Sequence, residues 1–272
     1  MISAVKRMIL NINDSRKNFR DHHKHLKYNV YITTQDNKKI GAYLLEPECH
    51  KDPKKFIVAL HGKGCSREDY VSNSKIHTLV NLGYCVLVPD YRGFADSEGE
   101  FKIDMVNLDI MACFEYLTSR FDAQEIHMIG HSLGTGIMAE YYRYITKNNI
   151  EAKYHPRKMF MISAFTSIID VGMENVIFRT INFLVPWIKE RVLKEIGYDT
   201  VKNIESAKGR DLFLYHGMKD DVVPYHHSVT LSKKYGAKIK LSDHGHGNIL
   251  KDEELWNDIH LNISEDLCEN KM

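Results

Sequence analysis

The chain has 272 residues and carries 37 basic against 36 acidic side chains, so its formal net charge is only +1. This balance lacks the basic surplus that is typical of nucleic-acid-binding proteins, and we expect no nucleic-acid partner. Its contents of 43% hydrophobic and 27% charged residues are typical of a soluble globular protein.

A polar lead-in covers residues 1–26 and precedes a single predicted domain, residues 27–272. Lys6 and Arg7 interrupt the lead-in, so it lacks the apolar core of a signal peptide. No stretch approaches the ~18 uncharged apolar residues of a membrane-spanning helix, and we therefore expect a cytoplasmic protein. The histidine-rich run Asp21–His25 is interpreted as a solvated surface rather than as a metal site.

Eight short apolar segments indicate β-strands. Two of them, Tyr28–Thr34 and Lys39–Pro47, alternate in polarity around the turn sequence "QDNK" and predict an antiparallel pair. The other six are nearly continuous apolar runs, which are typical of strands buried on both faces. These runs are Lys55–Gly62, Tyr84–Gly93, Glu125–Gly130, Lys158–Phe165, Asp211–Gly217 and Ala237–Asp243.

Helical patterns lie between the later strands. Strands that alternate with helices form mostly parallel sheets covered on both faces, so we predict an α/β fold with a mostly parallel central sheet flanked by helices. The predicted helices are Glu68–Leu82, Ile103–Ser119, Leu133–Lys147, Tyr225–Lys234 and Glu253–Ile263.

One segment, residues 166–209, interrupts this alternation with two amphipathic stretches on either side of Pro186. We interpret it as a small helical lid over the carboxyl edge of the sheet, where open α/β sheets bind ligands. An ordinary crossover with core-facing aromatic residues is the alternative. As a lid, it would bind substrate through Phe178, Phe183 and Trp187, and its apolar faces would line an acyl-chain channel or rest peripherally on a membrane surface.

The sequence "GHSLG", Gly130–Gly134, lies between a predicted strand and a predicted helix. A G-x-S-x-G pattern in this context is typical of a nucleophile elbow, a sharp turn that projects the serine hydroxyl above the sheet edge. The two glycines avoid the collision that a β-carbon would cause where strand and helix cross. We therefore expect Ser132 to be a catalytic nucleophile and the Leu133 amide to be one donor of an oxyanion hole.

A serine hydroxyl is a poor nucleophile at neutral pH and needs a histidine base that is oriented by a carboxylate. Candidate acids, Asp220 and Asp221, follow the seventh predicted strand, and candidate bases, His244 and His246, follow the eighth. The glycines on both sides of His246 favour it, because they suit a loop that reaches back to the serine.

Five segments, in this order, resemble the α/β-hydrolase superfamily: "HGKG", "DYRGFADSEG", "GHSLGTG", "HGMKDDVVP" and "GHGN". The second and third are most similar to the abhydrolase-domain branch that contains monoacylglycerol and lysophosphatidylserine lipases. The resemblance implies an α/β-hydrolase fold and assigns the acid to Asp220 and the base to His246. It also places the second oxyanion donor at Lys63, with Gly64 as the alternative.

The function expected from these features is that of a serine ester hydrolase acting on small-molecule acyl esters, with monoacylglycerols and lysophospholipids favoured. A short-chain carboxylesterase and a protein-depalmitoylating thioesterase are alternatives, and a non-catalytic ligand-binding protein on the same scaffold is a further one. The five cysteines are scattered without the C-x-x-C spacing of zinc sites. We expect no cofactor and no metal.

Overall fold

The computed structural model describes residues 12–21, 26–48, 55–174 and 197–264. Its centre is one eight-stranded sheet with the strand order β1-β2-β4-β3-β5-β6-β7-β8. The strands are β1 (Asn29–Thr33), β2 (Lys39–Leu45), β3 (Lys55–Leu60), β4 (Tyr84–Pro89), β5 (Ile126–His131), β6 (Met159–Ile162), β7 (Leu212–Gly217) and β8 (Lys238–Ser242).

The sheet is mostly parallel, as predicted. β1 and β2 form the expected antiparallel hairpin, and β2 also pairs antiparallel with β4. All the other neighbouring strands run parallel. Because parallel strands end at the same edge, the loops that follow β3, β5, β7 and β8 lie along one side of the molecule.

Helices cover both faces of the sheet. In β3, Phe56 and Val58 belong to one hydrophobic core, while Ile57 and Ala59 belong to the other. This alternation explains why the central strands are apolar at every position. The described helices are α1 (Ile12–Asp21), α2 (Arg67–Ser72), α3 (His77–Asn81), α4 (Ile103–Phe121), α5 (Leu133–Lys147), α6 (Ile168–Glu174), α7 (Thr200–Asn203), α8 (His226–Tyr235) and α9 (Glu253–Ser264). Within the described residues, none of the helices combines the length and the apolar character needed to cross a membrane.

The predicted helix Glu68–Leu82 is two helices, α2 and α3, so the prediction of one continuous helix is wrong. α2 begins with a capping box between Ser66 and Asp69 and ends at Ser72. Its C-cap is Asn73, a residue that favours turns over helix interiors. Beyond the break, the Lys75 amide donates to the Leu250 carbonyl oxygen at 2.8 Å. The two residues are far apart in sequence, so the local pattern could not reveal the break between the helices.

The segment that the sequence assigned to a polar lead-in contains α1, which packs against the domain. Ile12, Ser15 and Phe19 are buried. The Ser15 hydroxyl accepts a hydrogen bond from the Ala95 amide at 3.1 Å, and the ring of Phe19 lies 4.0 Å from the guanidinium carbon of Arg67. The three buried positions are spaced by three and four residues, which is the period of an amphipathic helix.

Candidate active site

Ser132 occupies the turn between β5 and α5 in a strained backbone conformation, with φ +51° and ψ −114°. A positive φ is uncommon for a residue with a β-carbon and is often found at functional sites. The Ser132 amide donates to the Ile162 carbonyl oxygen of β6 at 2.9 Å, which anchors the turn to the neighbouring strand.

Glycines make this turn possible. A β-carbon on Gly130 would lie 2.7 Å from the carbonyl oxygen of Gly134, and a β-carbon on Gly134 would collide with the carbonyl oxygen of Leu60 at the end of β3. Real β-carbons essentially never approach backbone atoms so closely. The two glycines of the G-x-S-x-G pattern are therefore required by the close crossing of β5, β3 and α5.

Asp220 and His246 lie in the loops after β7 and β8, and these loops are held side by side. The Met218 amide donates to the Ser242 carbonyl oxygen at 2.7 Å, and the Lys219 amide donates to the His244 carbonyl oxygen at 3.0 Å. These bonds extend the pairing of β7 and β8 beyond the strands. They bring Asp220, which follows Lys219, within reach of His246, two residues after His244.

The carboxylate of Asp220 accepts hydrogen bonds at both oxygens. Its Oδ1 accepts from the amides of Val222 at 3.0 Å and Val223 at 2.8 Å. Its Oδ2 lies 2.7 Å from Nδ1 of His246. Because an ionised carboxylate only accepts, Nδ1 of His246 carries the proton and Nε2 is left as a proton acceptor.

A second histidine supports the same carboxylate. His216 is fully buried, its Nε2 donates to the Val223 carbonyl oxygen at 2.8 Å, and this nitrogen also lies 3.3 Å from Oδ2 of Asp220. Burial by itself raises the pKa of the Asp220 carboxyl, but the hydrogen bonds from His216 and His246 outweigh burial and hold that pKa well below its usual range. Asp220 is therefore ionised throughout the neutral range.

The alternative acid and base lie elsewhere. Asp221 is exposed to solvent. His244 points its Nδ1 toward the Ser242 hydroxyl at 3.2 Å and toward Asp252 at 3.6 Å. The structure thus brings Asp220 and His246 together, in the combination that the family resemblance implies.

His131, the residue before the serine, has a contact that sequence reasoning missed. Its Nε2 donates to the His246 carbonyl oxygen at 3.0 Å, and the two rings are 4.9 Å apart. Burial, reinforced by the proximity of His246, lowers the pKa of His131 to about 3, so its ring is neutral. The bond ties the nucleophile turn to the loop of the histidine base. In the sequence, this residue could have been singled out because it lies between Gly130 and Ser132 in the G-x-S-x-G pattern.

The loop after β3 passes beside the serine. A β-carbon on Gly62 would lie 3.5 Å from Cβ of Ser132. Among the described residues, the amides of Lys63 and Leu133 find no hydrogen-bond acceptor. Gly64, the alternative donor, follows in the same loop with φ +68°. An oxyanion hole needs two free amides near the nucleophile, and the placement of this loop is compatible with that prediction.

Two buried ion pairs stabilise the loops behind this region. Asp90 accepts a hydrogen bond from the Arg67 amide at 2.8 Å and is ion-paired with the buried Arg67 guanidinium. Arg92 is ion-paired with the buried Asp109 at 2.6 Å and also contacts the partly exposed Asp36 at 3.0 Å. The two buried pairs organise the loop after β4.

The predicted substrate-binding residues Phe178, Phe183 and Trp187 lie outside the described residues, as does the central part of the predicted lid. The described parts of the 166–209 insertion are α6 and the stretch from residue 197, which includes α7. Tyr198 and Phe165 pack against Gly136 of α5, where a β-carbon would be 2.7 Å from the Phe165 ring. Phe165, just before the insertion, and Tyr198, in its last part, therefore both pack against α5, the helix that follows Ser132.

Comparisons with known proteins agree with this architecture. A sequence profile of the α/β hydrolase fold matches residues 56–152. The chain is 28% identical to lysophosphatidylserine lipase ABHD12 of Gallus gallus, over 62% of this chain and 44% of the relative. It is also 28% identical to the enzyme of the same name from Rattus norvegicus, over 73% of this chain and 54% of the relative. The chain thus spans about half the length of these relatives.

Solved structures resemble most of the chain. The esterase Pf2001 of Pyrococcus furiosus superposes with a TM-score of 0.67 at 21% identity, covering 90% of this chain and 93% of the esterase. An alpha-beta hydrolase from Vibrio vulnificus superposes with a TM-score of 0.69 at 18% identity, covering 95% of this chain and 92% of that protein. These likenesses concern the fold.

Proposed function

We propose that the chain is a serine ester hydrolase of the α/β-hydrolase superfamily, with Ser132, His246 and Asp220 as its catalytic triad; the matching sequence profile and the lipase relatives support this assignment. The observation that carries this proposal is the 2.7 Å hydrogen bond between His246 and Asp220. The His246 carbonyl oxygen is bound in turn by His131, the residue before the strained Ser132, at 3.0 Å. A base that is oriented by a buried carboxylate, beside a serine on a nucleophile elbow, is the arrangement that activates a hydroxyl for acyl transfer.

In the proposed mechanism, the Ser132 hydroxyl attacks the ester carbonyl while Nε2 of His246 takes its proton. Asp220 stabilises the resulting imidazolium through Nδ1. The amides of Leu133 and Lys63 bind the oxyanion of the tetrahedral intermediate. When the intermediate collapses, His246 returns the proton to the departing alcohol and an acyl-serine remains. Water, deprotonated by His246, then releases the carboxylic acid and restores the serine.

The proposed substrates are lysophospholipids and related monoacyl esters. Support comes from relatives that are named lysophosphatidylserine lipases. The proposal includes peripheral contact with a membrane surface through the apolar faces of the predicted lid. The residues that would make this contact lie between the described ranges. The alternative is a preference for short-chain esters, and the experiment must distinguish it from activity on lysophospholipids.

The test combines an active-site label with a substrate series. Wild type, Ser132→Ala and the exposed control Ser206→Ala are treated with a fluorophosphonate probe. Labelling of the wild type and Ser206→Ala, and its loss in Ser132→Ala, would support the triad. No labelling of the wild type would favour a binding protein on the hydrolase scaffold. The same three proteins are then assayed on lysophosphatidylserine and on p-nitrophenyl esters of increasing chain length. A sharp optimum at the shortest chains, without release of fatty acid from lysophosphatidylserine, would exclude the lipid substrate but not the triad.

A further inference from the structure

Glu174, His226 and His227 form a cluster that lies outside the proposed triad. Glu174 is the last residue of α6, and the two histidines begin α8. One ligand atom from each residue lies within 4.8 Å of the other two. We propose that these three side chains bind a divalent transition-metal ion, with Zn²⁺ as the best match.

The separations suit one ion. Oε1 of Glu174 lies 2.9 Å from Nε2 of His226 and 3.1 Å from Nε2 of His227. Bonds of ~2.1 Å in a tetrahedral zinc site place neighbouring ligand atoms about 3.4 Å apart. A small outward shift of the exposed Glu174 and His226 side chains would therefore open the centre of the cluster to the ion.

His227 supplies a second, independent observation. The residue is only 2% exposed, and its Nε2 has no hydrogen-bond partner among the described residues. The Glu174 oxygen is 3.1 Å away, but it does not lie along the direction of a hydrogen bond from the ring. Buried polar atoms without a partner are rare and call for an explanation. A metal ion in this cluster would supply the partner that the nitrogen lacks.

The other nitrogen of His227 is prepared for ligation. Nδ1 lies 2.8 Å from the Thr166 hydroxyl oxygen, and this hydroxyl donates its own proton to Asp170 at 2.7 Å. The Thr166 oxygen is therefore free to accept a proton from Nδ1, which leaves the lone pair on Nε2 for the ion. Such outer hydrogen bonds commonly orient histidine ligands. The Thr166 amide also lies 3.3 Å from Nδ1, a contact that fits the tautomer with the proton on Nε2. Ion binding at Nε2 would select the tautomer with the proton on Nδ1.

The donor set selects the class of metal. Two imidazoles and one carboxylate suit Zn²⁺ and similar ions, whereas Mg²⁺ and Ca²⁺ prefer oxygen ligands. A fourth position would be filled by water. Glu174 and His226 are 52 positions apart, so no short spacing motif could have indicated the site.

The ion would link two regions of the fold. α6 follows β6 within the 166–209 insertion, and α8 follows the loop that holds Asp220. A shared ion would stabilise the folded chain, because a site assembled from these two segments exists only when both are in place.

The experiment uses the full chain with any affinity tag removed, after dialysis against a chelator. Zn²⁺ is titrated calorimetrically into wild type, Glu174→Gln and His226→Ala, and thermal unfolding is followed with and without Zn²⁺. The His226 side chain is 58% exposed, so its removal should leave the metal-free fold intact. We expect one Zn²⁺ per wild-type chain, at least tenfold weaker binding in both variants, and an increase in Tm with Zn²⁺ that both variants lose.

The matched control is the triple variant His22→Ala, His23→Ala, His25→Ala, which removes the histidine-rich run near the N-terminus. It should bind Zn²⁺ as the wild type does. Loss of binding in this control would overturn the proposal, as would wild-type affinity in Glu174→Gln and His226→Ala or the absence of binding to the wild type. None of these results depends on the proposed hydrolase activity.

Discussion

His246 donates a 2.7 Å hydrogen bond from Nδ1 to Oδ2 of Asp220, across 26 positions of sequence. The bond fixes which ring nitrogen carries the proton, and so it leaves Nε2 facing away from the acid as a proton acceptor. Its strength is favoured by the ionised state of Asp220, whose carboxylate is supported by two backbone amides as well. If the proposed triad operates, the charge and the acceptor-only character of Asp220 matter more than its size.

Asp220→Asn is therefore expected to reduce kcat by about 10⁴-fold, the loss that this exchange causes when an amide donor forces the wrong histidine tautomer. Steady-state hydrolysis of a p-nitrophenyl ester measures the effect. Asp221→Asn serves as the matched control, since its side chain is exposed one residue away, and it should retain wild-type kcat. Equal losses in the two variants would contradict the assignment of the acid.

The choice between the two histidines can be tested in the same loop. His246→Ala should lower kcat by at least 10³-fold, because it removes the proposed base. His216 also contacts Asp220, but its ring nitrogens are bound to Ser228 and to the Val223 carbonyl oxygen. His244→Ala should remain active, since its ring contacts Ser242 and Asp252 instead. The rate of fluorophosphonate labelling reports the serine's reactivity directly. Rapid labelling of His246→Ala would exclude that residue as the base.

The sequence predicted the sheet well, because each central strand is a short apolar run bounded by turn residues and each run is a local feature. The serine turn was also predictable, since Gly130 and Gly134 mark a crossing that tolerates no β-carbon. Asp220 and His246 required knowledge of where the strands end. The choice of Asp220 over Asp221 came from the family resemblance, whereas the flanking glycines already favoured His246 over His244.

Features that depend on distant contacts were not predictable. The break between α2 and α3 reflects a hydrogen bond from Lys75 to Leu250. The contact of His131 with the His246 carbonyl oxygen joins residues that are 115 positions apart. The cluster at Glu174 likewise exists only after α6 and α8 have packed. In each case the local sequence is compatible with several partners, and the tertiary fold selects one.

Gly134→Ala tests the close crossing at the nucleophile turn. The added β-carbon would collide with the Leu60 carbonyl oxygen, which belongs to the backbone of a central strand and has little freedom to move. We expect the free energy of unfolding to fall by about 1–3 kcal/mol, the usual cost of overpacking a core. Denaturant titration measures it.

Gly247→Ala is the control for this substitution. No described atom lies within 4 Å of the added β-carbon, and the residue is not in the positive-φ region. Its free energy of unfolding should stay within about 0.5 kcal/mol of the wild type, as is usual for surface changes. Because Gly→Ala restricts the unfolded chain and by itself favours folding, a similar loss in both variants would contradict the assignment of the effect to the crossing.

The low pKa of His131 predicts how the free energy of unfolding depends on pH. In the folded chain its pKa is about 3, whereas an unfolded histidine titrates near 6.5. Between these two values the unfolded state binds a proton that the folded state does not. Stability must therefore fall as the pH is lowered through this window, by up to about 1.4 kcal/mol per pH unit.

His131→Gln removes the titrating ring and keeps an amide that can donate to the His246 carbonyl oxygen. Urea unfolding of both proteins at about pH 7.5, 5.5 and 4.5 separates this contribution from that of every other group, because those groups are common to both. Above pH 7 the variant should be equal to or less stable than the wild type. As the pH falls below 6.5 its relative stability should increase steadily, and parallel pH profiles for the two proteins would show that folding does not lower the pKa of His131.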